Sequence, residues 1–353
     1  MSKYWSPIVG TLTPYVPGEQ PRDSKLIKLN TNENPYAPSP AALAAIRAET
    51  TDSLKLYPDP EALALKVSLA RHHAIDVAQI FVGNGSDEVL AHVFLGLLKH
   101  DKPILLPDIG YSFYPVYCGL YDIQYQTVAL NENFEIDLRD YEQDNGGVIF
   151  ANPNAPTGIA LAPKSIESFL RQSSNSVVVI DEAYVAFGAD SIVQLIKEFP
   201  NLLVVQTLSK SHALAGLRVG FAFGDPNLIE ALDRIKNSFN SYPLDRLAIA
   251  GAVAAINDQQ YFESSRQKII ATRERLSLAM RRLGFMVLPS QTNFVFASSP
   301  NIGALELLQA LRQRSIIVRH LDHPRTADYV RITVGTDAEI DSLIASLELI
   351  LND

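Results

Sequence analysis

Short apolar, β-branched runs alternate with helical patterns through the middle of the chain. The runs cover residues 80–82, 103–106, 148–150, 177–180, 202–206 and 219–223. The clearest helical pattern follows Ser86, and its apolar positions are spaced as on one buried helix face: Leu90, Val93, Phe94, Leu97 and Leu98. This alternation predicts an α/β fold with a mostly parallel central sheet covered by helices.

From about Tyr261 the pattern changes to a long charged helix, short apolar runs and a further helix. The runs cover residues 285–288, 293–296, 316–319 and 329–334, and the further helix covers about 304–314. This pattern predicts a smaller α+β domain. We therefore expect an N-terminal arm (residues 1–29) that packs on the small domain or on a partner subunit, a large domain (30–250) and a small C-terminal domain (251–353).

Composition narrows the possible functions and locations. With 353 residues, 47% of them hydrophobic, the chain can build a sizeable core in about two domains. Its formal charge of −9 disfavours general nucleic-acid binding, which depends on clustered Lys and Arg.

Cysteine content and the N-terminal sequence bear on location. The single cysteine, Cys118, excludes an internal disulfide and a four-thiolate zinc site, and fits a reducing compartment. Prolines break the N-terminal residues, which lack the apolar core of a signal peptide, and no apolar run approaches the roughly 20 residues of a membrane helix. We expect a cytoplasmic protein without membrane contact.

Polar motifs directly follow three of the apolar runs. NPNAPTG occupies residues 152–158, Asp181 opens DEAY, and Thr207 opens TLSKSHALAGLR. A lone Asp or Lys at a strand end is more often a surface or capping residue. Ligands of open α/β sheets bind at the carboxyl ends of the strands, so the three motifs together indicate one shared crevice.

A fourth motif, GNGSDE (residues 83–88), lies between a predicted strand and the clearest helix. Glycines and the free N–H groups of a helix N-terminus form an anion site. The plainer interpretation is an N-cap at Ser86 followed by the acidic first-turn residues Asp87 and Glu88. Both interpretations hold if the two carboxylates point away from the anion.

Together these motifs resemble the aspartate aminotransferase-like, fold type I family of pyridoxal 5'-phosphate (PLP) enzymes. The resemblance runs from LNTNENPY (residues 29–36) to YVRITVG (residues 329–335), which is nearly the whole chain. It implies a large domain and a smaller α+β domain, a PLP cofactor, amino-group transfer between small molecules, and a homodimer.

The resemblance also implies roles around the cofactor ring. Lys210 would carry PLP as a Schiff base and then act as general base and acid for the substrate proton. Asp181 would face the pyridine nitrogen and keep it protonated. Tyr184 would donate to the 3'-oxygen, and Tyr111 would stack on the ring, although a half-buried core tyrosine is the alternative for Tyr111.

The cofactor phosphate is expected at the N-terminus of the helix that follows GNGSDE. The residues expected around it are Gly85, Ser86, Asp87, Thr207, Ser209 and Arg218. Arginine suits this task because its fork binds two phosphate oxygens at once. Gly216 and Gly220 would let the backbone approach closely. Tyr57, in LYPD, resembles a tyrosine that reaches the phosphate of the neighbouring subunit, which implies composite sites.

The chain departs from the family pattern at one position near the cofactor. Many relatives have Asn immediately before PTG, where it bonds the 3'-oxygen, but Ala155 stands there in this chain. We assign that contact to Asn154 and expect Tyr184 to supply more of the hydrogen bonding to the 3'-oxygen.

Further motifs bear on the substrate. Arg331, in RITVG, matches the family's clamp for a substrate carboxylate. LTPY with Tyr15, SKSHALAGLRVG, NSYPLDRLA and IIVRHL with Arg319 resemble those family members that act in histidine biosynthesis. These convert L-histidinol phosphate and 2-oxoglutarate to imidazole acetol phosphate and L-glutamate. Arg331 and Arg319 would bind the phosphate ester, with Tyr15 and Asn32 as neutral donors.

Several alternatives stay open or are disfavoured. Aromatic amino acid aminotransferases and a threonine-phosphate decarboxylase share the cofactor residues, and the sequence does not separate them from the first choice. A nucleotide-binding protein is disfavoured because neither G-x-G-x-x-G after the first strand nor G-x-x-x-x-G-K-[ST] occurs. The Lys210, Asp181 and Arg218 set disfavours a non-catalytic regulator.

The histidines carry little information. His320 and His323 could ligate a metal with Asp322, but a solvated loop fits them better, so we predict no metal. His72 and His73 are expected on a helix surface. The sequence does not tell whether His212 faces the site.

Overall fold

The computed structural model describes residues 2–21 and 25–352. The strands are β1 (Ile27–Lys28), β2 (Ile80–Asn84), β3 (Ile104–Pro107), β4 (Tyr125–Val128), β5 (Val148–Ala151), β6 (Val178–Asp181), β7 (Leu202–Thr207), β8 (Val219–Gly224), β9 (Met286–Val287), β10 (Phe294–Ser298), β11 (Ile316–Ile317), β12 (Arg319–His320) and β13 (Tyr329–Thr333). The helices are α1 (Pro40–Glu49), α2 (Leu63–His73), α3 (Gly85–Gly96), α4 (Tyr114–Tyr121), α5 (Pro163–Gln172), α6 (Leu208–Ser211), α7 (Pro226–Phe239), α8 (Arg246–Asn257), α9 (Gln259–Arg282), α10 (Ala304–Gln313) and α11 (Asp337–Asn352).

The largest sheet of the described residues has seven strands in the order β2-β8-β7-β6-β5-β3-β4. Only β8 runs against its neighbours β2 and β7; the other neighbouring pairs are parallel. Except for the largely exposed edge strand β4, its strands are buried on both faces, as their continuous apolar sequences predict. The predicted mostly parallel sheet covered by helices is confirmed.

The antiparallel strand β8 follows from a short connection. Residues 208–218 join β7 to β8, which is too few for the crossover that a parallel neighbour needs. Thr207 and Gly220 are therefore register partners. The turn before β8, which contains Arg218, lies at the edge of the sheet where β7 ends.

Helix α3 buries the predicted apolar face. Leu90, Val93 and Phe94 are fully buried and pack with the sheet. The N-cap position is Asn84 rather than Ser86, so the sequence-based assignment of the cap is wrong. The Asn84 backbone N–H donates to Glu88 Oε2 (2.6 Å), and this bond fixes the first turn of the helix.

The C-terminal part of the chain builds a second layer. Strands β12, β13, β10 and β9 form an antiparallel sheet in that order, and side chains of α9, α10 and α11 pack on it around a separate core. Strand β1 pairs in parallel with β11, and Leu29 joins the same core. The N-terminal residues thus contact this layer. The boundaries at residues 29 and 250 remain predictions.

Within residues 2–21 and 25–352, no helix is both long enough and apolar enough to span a membrane.

Candidate active site

Five strand ends meet at one edge of the seven-stranded sheet. Ala151 pairs with Asp181, Asp181 with Val205, and Asn84 with Val219. The ends of β2, β5, β6 and β7 and the start of β8 therefore lie side by side. The polar motifs after these strands share one crevice, as the sequence predicted.

Lys210 follows β7 on the short helix α6. Thr207 Oγ1 accepts the Ser209 backbone N–H (3.2 Å) at the start of that helix. Lys210 Nζ donates to the Thr31 carbonyl (3.0 Å), and the Asn34 side chain donates to the Lys210 carbonyl (3.0 Å). Burial, with the positive charge of Arg331, lowers the pKa of Lys210 to about 8. About a tenth of the amine is therefore neutral and nucleophilic at pH 7, far more than for an ordinary lysine.

Asp181 ends strand β6 and is only 5% exposed. Its Oδ2 accepts the Tyr114 hydroxyl (3.0 Å), and its Oδ1 accepts the Ala183 backbone N–H (3.0 Å). Burial raises the pKa of Asp181 to about 6, although both hydrogen bonds lower it. The carboxylate is held in one orientation and is mostly charged at neutral pH.

The turn that contains Arg218 packs tightly against the start of α3. A Cβ at Gly220 would lie 2.7 Å from the Gly85 carbonyl oxygen and closer still to main-chain atoms of Gly85 and Ser86. Gly85 has a φ of +77°, and a Cβ there would overlap the Arg218 guanidinium. Nothing lies within 4 Å of a Cβ at Gly216. The prediction of close approach fits Gly220 and is wrong for Gly216.

The arginine in this turn already has a carboxylate partner. Arg218 Nη2 donates to Asp87 Oδ2 (2.8 Å), and the Tyr111 hydroxyl donates to Asp87 Oδ1 (3.1 Å). Asp87 thus faces the site, whereas Glu88 turns away to the backbone of Asn84. The condition that both carboxylates point away is therefore met by Glu88 and not by Asp87, because the 40% exposed Arg218 side chain attracts Asp87.

Two hydroxyl side chains complete the same cluster. Thr207 Oγ1 donates to Ser209 Oγ (3.0 Å), and Arg218 Nη1 lies 3.5 Å from Ser209 Oγ. With the N-terminus of α3 at Gly85 and Ser86, these groups form a compact set of donors. Such a set suits a phosphate, because backbone N–H groups at a helix N-terminus and a guanidinium all donate to its oxygens.

Asn32 and Tyr184 lie on the side of the site nearest the C-terminal sheet. Asn32 has a left-handed φ of +57°. Its Nδ2 donates to the Tyr184 hydroxyl (2.9 Å), and its Oδ1 accepts the Thr333 hydroxyl (3.1 Å). Asn293 Nδ2 donates to the Asn32 carbonyl (2.9 Å). Asn32 therefore orients Tyr184, and Thr333 and Asn293 hold Asn32, although the sequence-based prediction included neither.

Asn154 is 2% exposed and carries one oxygen that lacks a partner. Its Nδ2 donates to the Ile109 carbonyl (3.0 Å) and to Thr157 Oγ1 (3.2 Å). Its buried Oδ1 has no hydrogen-bond partner among the described residues. A buried amide oxygen of this kind needs a donor, so a bound molecule with a hydroxyl group or a water molecule fits there.

Two arginines face each other on the C-terminal sheet. Arg319 of β12 and Arg331 of β13 are directly opposed register partners. Arg331 Nη2 donates to the Asn30 carbonyl (3.0 Å), its buried Nε has no partner, and its guanidinium lies 5.3 Å from the Phe294 ring centroid. In the described part of the chain, neither arginine forms an ion pair with a carboxylate. Two adjacent like charges of this kind attract an anion.

The N-terminal arm reaches the same region. The Tyr15 ring lies 4.9 Å from the Phe113 ring, just before α4. A Cβ at Gly18 would lie 3.5 Å from Arg319 Nη1, and Arg319 Nη2 lies 3.5 Å from the Val16 carbonyl. The arm thus brings Tyr15 near the arginine pair, and its role as a donor to the substrate remains a prediction.

Tyr57 does not approach the residues around Lys210 of its own chain. It is 79% exposed and stacks on Tyr242 at 4.7 Å. Its carbonyl accepts Arg246 Nη2 (3.2 Å). Its role at a neighbouring subunit remains a prediction.

His212 faces a different space. Its ring stacks on Phe262 at 4.6 Å and lines a cavity of about 250 Å³ together with Glu182 and Gln206. Lys210 and Arg331 are not among the residues that line this cavity. Among the residues that the structure describes, no group of His, Cys, Asp and Glu side chains could hold a metal ion.

The fold and the residues around Lys210 agree with one class of enzyme. The chain belongs to the family "aminotransferase class I and II", which matches residues 24–347, and it has the fold type I architecture. It is 60% identical over 347 residues to histidinol-phosphate aminotransferase 1 of Methylococcus capsulatus (98% of this chain, 97% of that protein).

Further comparisons give the same result. The chain is 59% identical over 355 residues to histidinol-phosphate aminotransferase 1 of Bordetella parapertussis, with both proteins fully covered. The crystal structure of histidinol-phosphate aminotransferase from Sinorhizobium meliloti in complex with PLP superposes with a TM-score of 0.89. The two chains are 26% identical, and the match covers 100% of this chain and 98% of that one.

Proposed function

We propose that this chain transfers the amino group of L-histidinol phosphate to 2-oxoglutarate, giving imidazole acetol phosphate and L-glutamate in histidine biosynthesis, with PLP as cofactor. The observation that carries the substrate assignment is the Arg319–Arg331 pair, two opposed cations without a carboxylate partner in the described part of the chain. The charge of Arg331 also acts on Lys210. The names of relatives about 60% identical over nearly the whole chain support the same reaction.

The site residues fit PLP. Lys210 would hold it covalently and Asp181 would face its ring nitrogen. Its 3'-oxygen would accept the Tyr184 hydroxyl and lie beside the Asn154 side-chain amide, and Tyr111 would cover the ring. The residues expected to hold its phosphate are Gly85, Ser86, Asp87, Thr207, Ser209 and Arg218. When bound, PLP supplies an electron-withdrawing ring that takes up the electrons released when a substrate C–H bond breaks.

Lys210 would move the substrate proton. Its pKa of about 8 lets Nζ accept a proton near neutral pH and return it to a neighbouring carbon. The hydrogen bond to the Thr31 carbonyl limits where Nζ can point. Both half reactions need this proton transfer, because the amino group leaves one substrate and is added to the other.

The arginine pair would bind the anionic end of each substrate. Histidinol phosphate has a phosphate ester where an amino acid has its α-carboxylate, and a guanidinium binds either group through two parallel hydrogen bonds. Arg331 would contact both substrates. Arg319 would supply the second charge that a phosphate dianion favours, with Tyr15 and Asn32 nearby.

We further propose that the chain acts as a cytoplasmic homodimer. Leu54, Leu56 and Tyr57 are exposed apolar side chains in one short segment, and Tyr242, which stacks on Tyr57, is also exposed. A second copy would cover this surface and receive Tyr57 at its cofactor phosphate. The buried Lys236 fixes the chain just after Tyr57, since its Nζ donates to the Pro60 carbonyl (3.2 Å).

A spectral titration tests the proposal. The purified chain is saturated with PLP, and the loss of the yellow absorbance is followed as L-histidinol phosphate, L-phenylalanine or L-threonine phosphate is added. We expect loss at far lower concentrations of L-histidinol phosphate than of the other two. The variant Lys210→Ala is the control and should show no covalent band. A preference for phenylalanine would identify an aromatic aminotransferase, and release of carbon dioxide from threonine phosphate would identify a decarboxylase.

A further inference from the structure

Asp181 has two hydrogen-bond partners of different kinds. The Ala183 N–H belongs to the segment that follows β6 and is fixed by the backbone. The Tyr114 hydroxyl comes from helix α4 and is the only side chain of the described residues that donates to Asp181. Each oxygen thus has one donor and keeps a second lone pair for a ligand.

Tyr114 is itself rigid. It is fully buried as the first residue of α4. Its ring packs edge-on against the Tyr111 ring at 5.4 Å and in a tilted arrangement against the Phe94 ring at 6.0 Å. Burial, together with the charge of Asp181, raises the pKa of Tyr114 well above its ordinary value, so the hydroxyl keeps its proton. The side chain is therefore a permanent donor at a fixed position.

We propose that Tyr114 is a positioning residue, which holds the Asp181 carboxylate in one orientation and favours its charged form, so that Asp181 faces the ring nitrogen of the cofactor. This inference rests on the proposed function, since it needs PLP at the site. The contact joins residues 67 positions apart, in two elements that approach only in the folded chain.

Several other ionisable groups interact electrostatically with Asp181 and therefore influence its titration. They are Asp87 of α3, Tyr111 and Tyr117 beside Tyr114, and Glu182 and Tyr184 after β6. The charge of Asp87 raises the pKa of Asp181, whereas the Tyr114 hydrogen bond lowers it. Removal of the Tyr114 hydroxyl alone should therefore raise the pKa of Asp181, while all other groups stay in place.

Tyr114→Phe tests the inference, with Tyr141→Phe as the matched control. Tyr141 is also buried (1% exposed), but its hydroxyl has no partner among the described residues. The full-length chain is stripped of PLP and titrated with it between about pH 5.5 and 8.5, with absorbance as the signal and Lys210→Ala as the blank. For Tyr114→Phe we expect PLP affinity at pH 7.5 to fall about 10-fold, the size of one charge-assisted hydrogen bond.

The pH profile separates positioning from mere packing. In Tyr114→Phe, the loss of affinity on acidification should begin at higher pH than in the wild type, whereas Tyr141→Phe should follow the wild type. The kcat should fall while the KM for L-histidinol phosphate stays nearly constant. An unchanged pH profile in Tyr114→Phe would overturn the inference.

A double-mutant cycle provides a second measurement. If Tyr114 acts through Asp181, adding Tyr114→Phe to Asp181→Asn should cost little further PLP affinity, and additive losses would contradict the inference. A wild-type chain without a Lys210-dependent absorbance band would instead refute the proposed function. The two failures are therefore distinguishable.

Discussion

The contact between Gly220 and the start of α3 leads to a sharp prediction. Strand β8 and the first turn of α3 touch through main-chain atoms, and a Cβ on Gly220 would lie 2.7 Å from the Gly85 carbonyl oxygen and nearer to two further main-chain atoms. Gly220→Ala must therefore displace the backbone of β8 or of α3. Neither can rotate away as a flexible side chain would.

The size of the effect follows from this geometry. Non-bonded carbon atoms settle about 3.5–4.0 Å apart and the nearest main-chain atoms would lie at 2.3 Å, so the two segments would have to separate by roughly 1.5 Å. Overpacking of this kind typically costs about 1–3 kcal/mol, and a backbone contact belongs at the upper end. A loss of about 3 kcal/mol would lower Tm by roughly 4 °C, because the entropy of unfolding of 353 residues is about 0.7 kcal/mol/K. PLP affinity should fall as well, because α3 moves relative to Arg218.

Gly216→Ala is the matched control in the same turn, since a Cβ there has no neighbour within 4 Å. Tm should stay within about 1 °C of wild type, because an unstrained Gly→Ala change is neutral or slightly stabilising. Tm is measured by differential scanning calorimetry on both variants without cofactor, and PLP affinity by absorbance. Equal Tm values for the two variants would refute this view of the turn.

Three further predictions concern the chemistry of the site. Arg319→Ala should lower kcat/KM for L-histidinol phosphate by about 10- to 100-fold, the range for a hydrogen bond to a charged group, but that for glutamate only slightly; equal losses in steady-state assays would mean that Arg319 does not bind the phosphate. Burial, with Arg331, lowers the pKa of Lys210 to about 8, so the neutral amine fraction and the rate of PLP attachment should rise as pH increases through about 8. Stopped-flow absorbance should show this midpoint move to higher pH in Arg331→Ala, where a positive charge is lost; an unmoved midpoint would exclude the coupling. Mixing inactive Lys210→Ala with inactive Tyr57→Ala should restore about a quarter of the wild-type sites if homodimers form with composite sites, whereas no recovery after subunit exchange would remove Tyr57 from the partner's site.

The positions of the strands and most of the site were predictable from local sequence. Buried parallel strands appear as continuous apolar runs, and the residues that follow them must lie at one edge of the sheet. This pattern located the motifs that contain Lys210, Asp181 and Arg218, whereas the roles expected of the three residues came from the resemblance to the family. The structure brings the motifs to one crevice.

The direction of β8 was predictable only in part. The 11 residues between β7 and β8 are too few for a parallel crossover, and this length was a usable signal. The N-cap of α3 was misplaced at Ser86, because a serine before two acidic residues satisfies the usual capping pattern. The structure begins the helix two residues earlier, directly after Asn84.

Contacts between distant segments could not be derived from one sequence. The donor from Tyr114 to Asp181, the Thr31 carbonyl at Lys210 and the direction of His212 depend on how elements pack, and no local pattern marks them. The direction of the Asp87 carboxylate is a further case, because its partner, the guanidinium of Arg218, is 131 positions away.

The pairing of β1 with β11 also constrains how the molecule is made. Ile27 lies beside Ile316, so one of the first strands to leave the ribosome finds its partner only when synthesis is nearly complete. The seven-stranded sheet lies wholly within residues 80–224 and can assemble earlier. The Thr31 carbonyl that contacts Lys210 follows β1 directly. The sheet that positions Lys210 can thus form before the segment of residues 27–31 is fixed. A chain that ended before β11 would lack the strand with which β1 pairs.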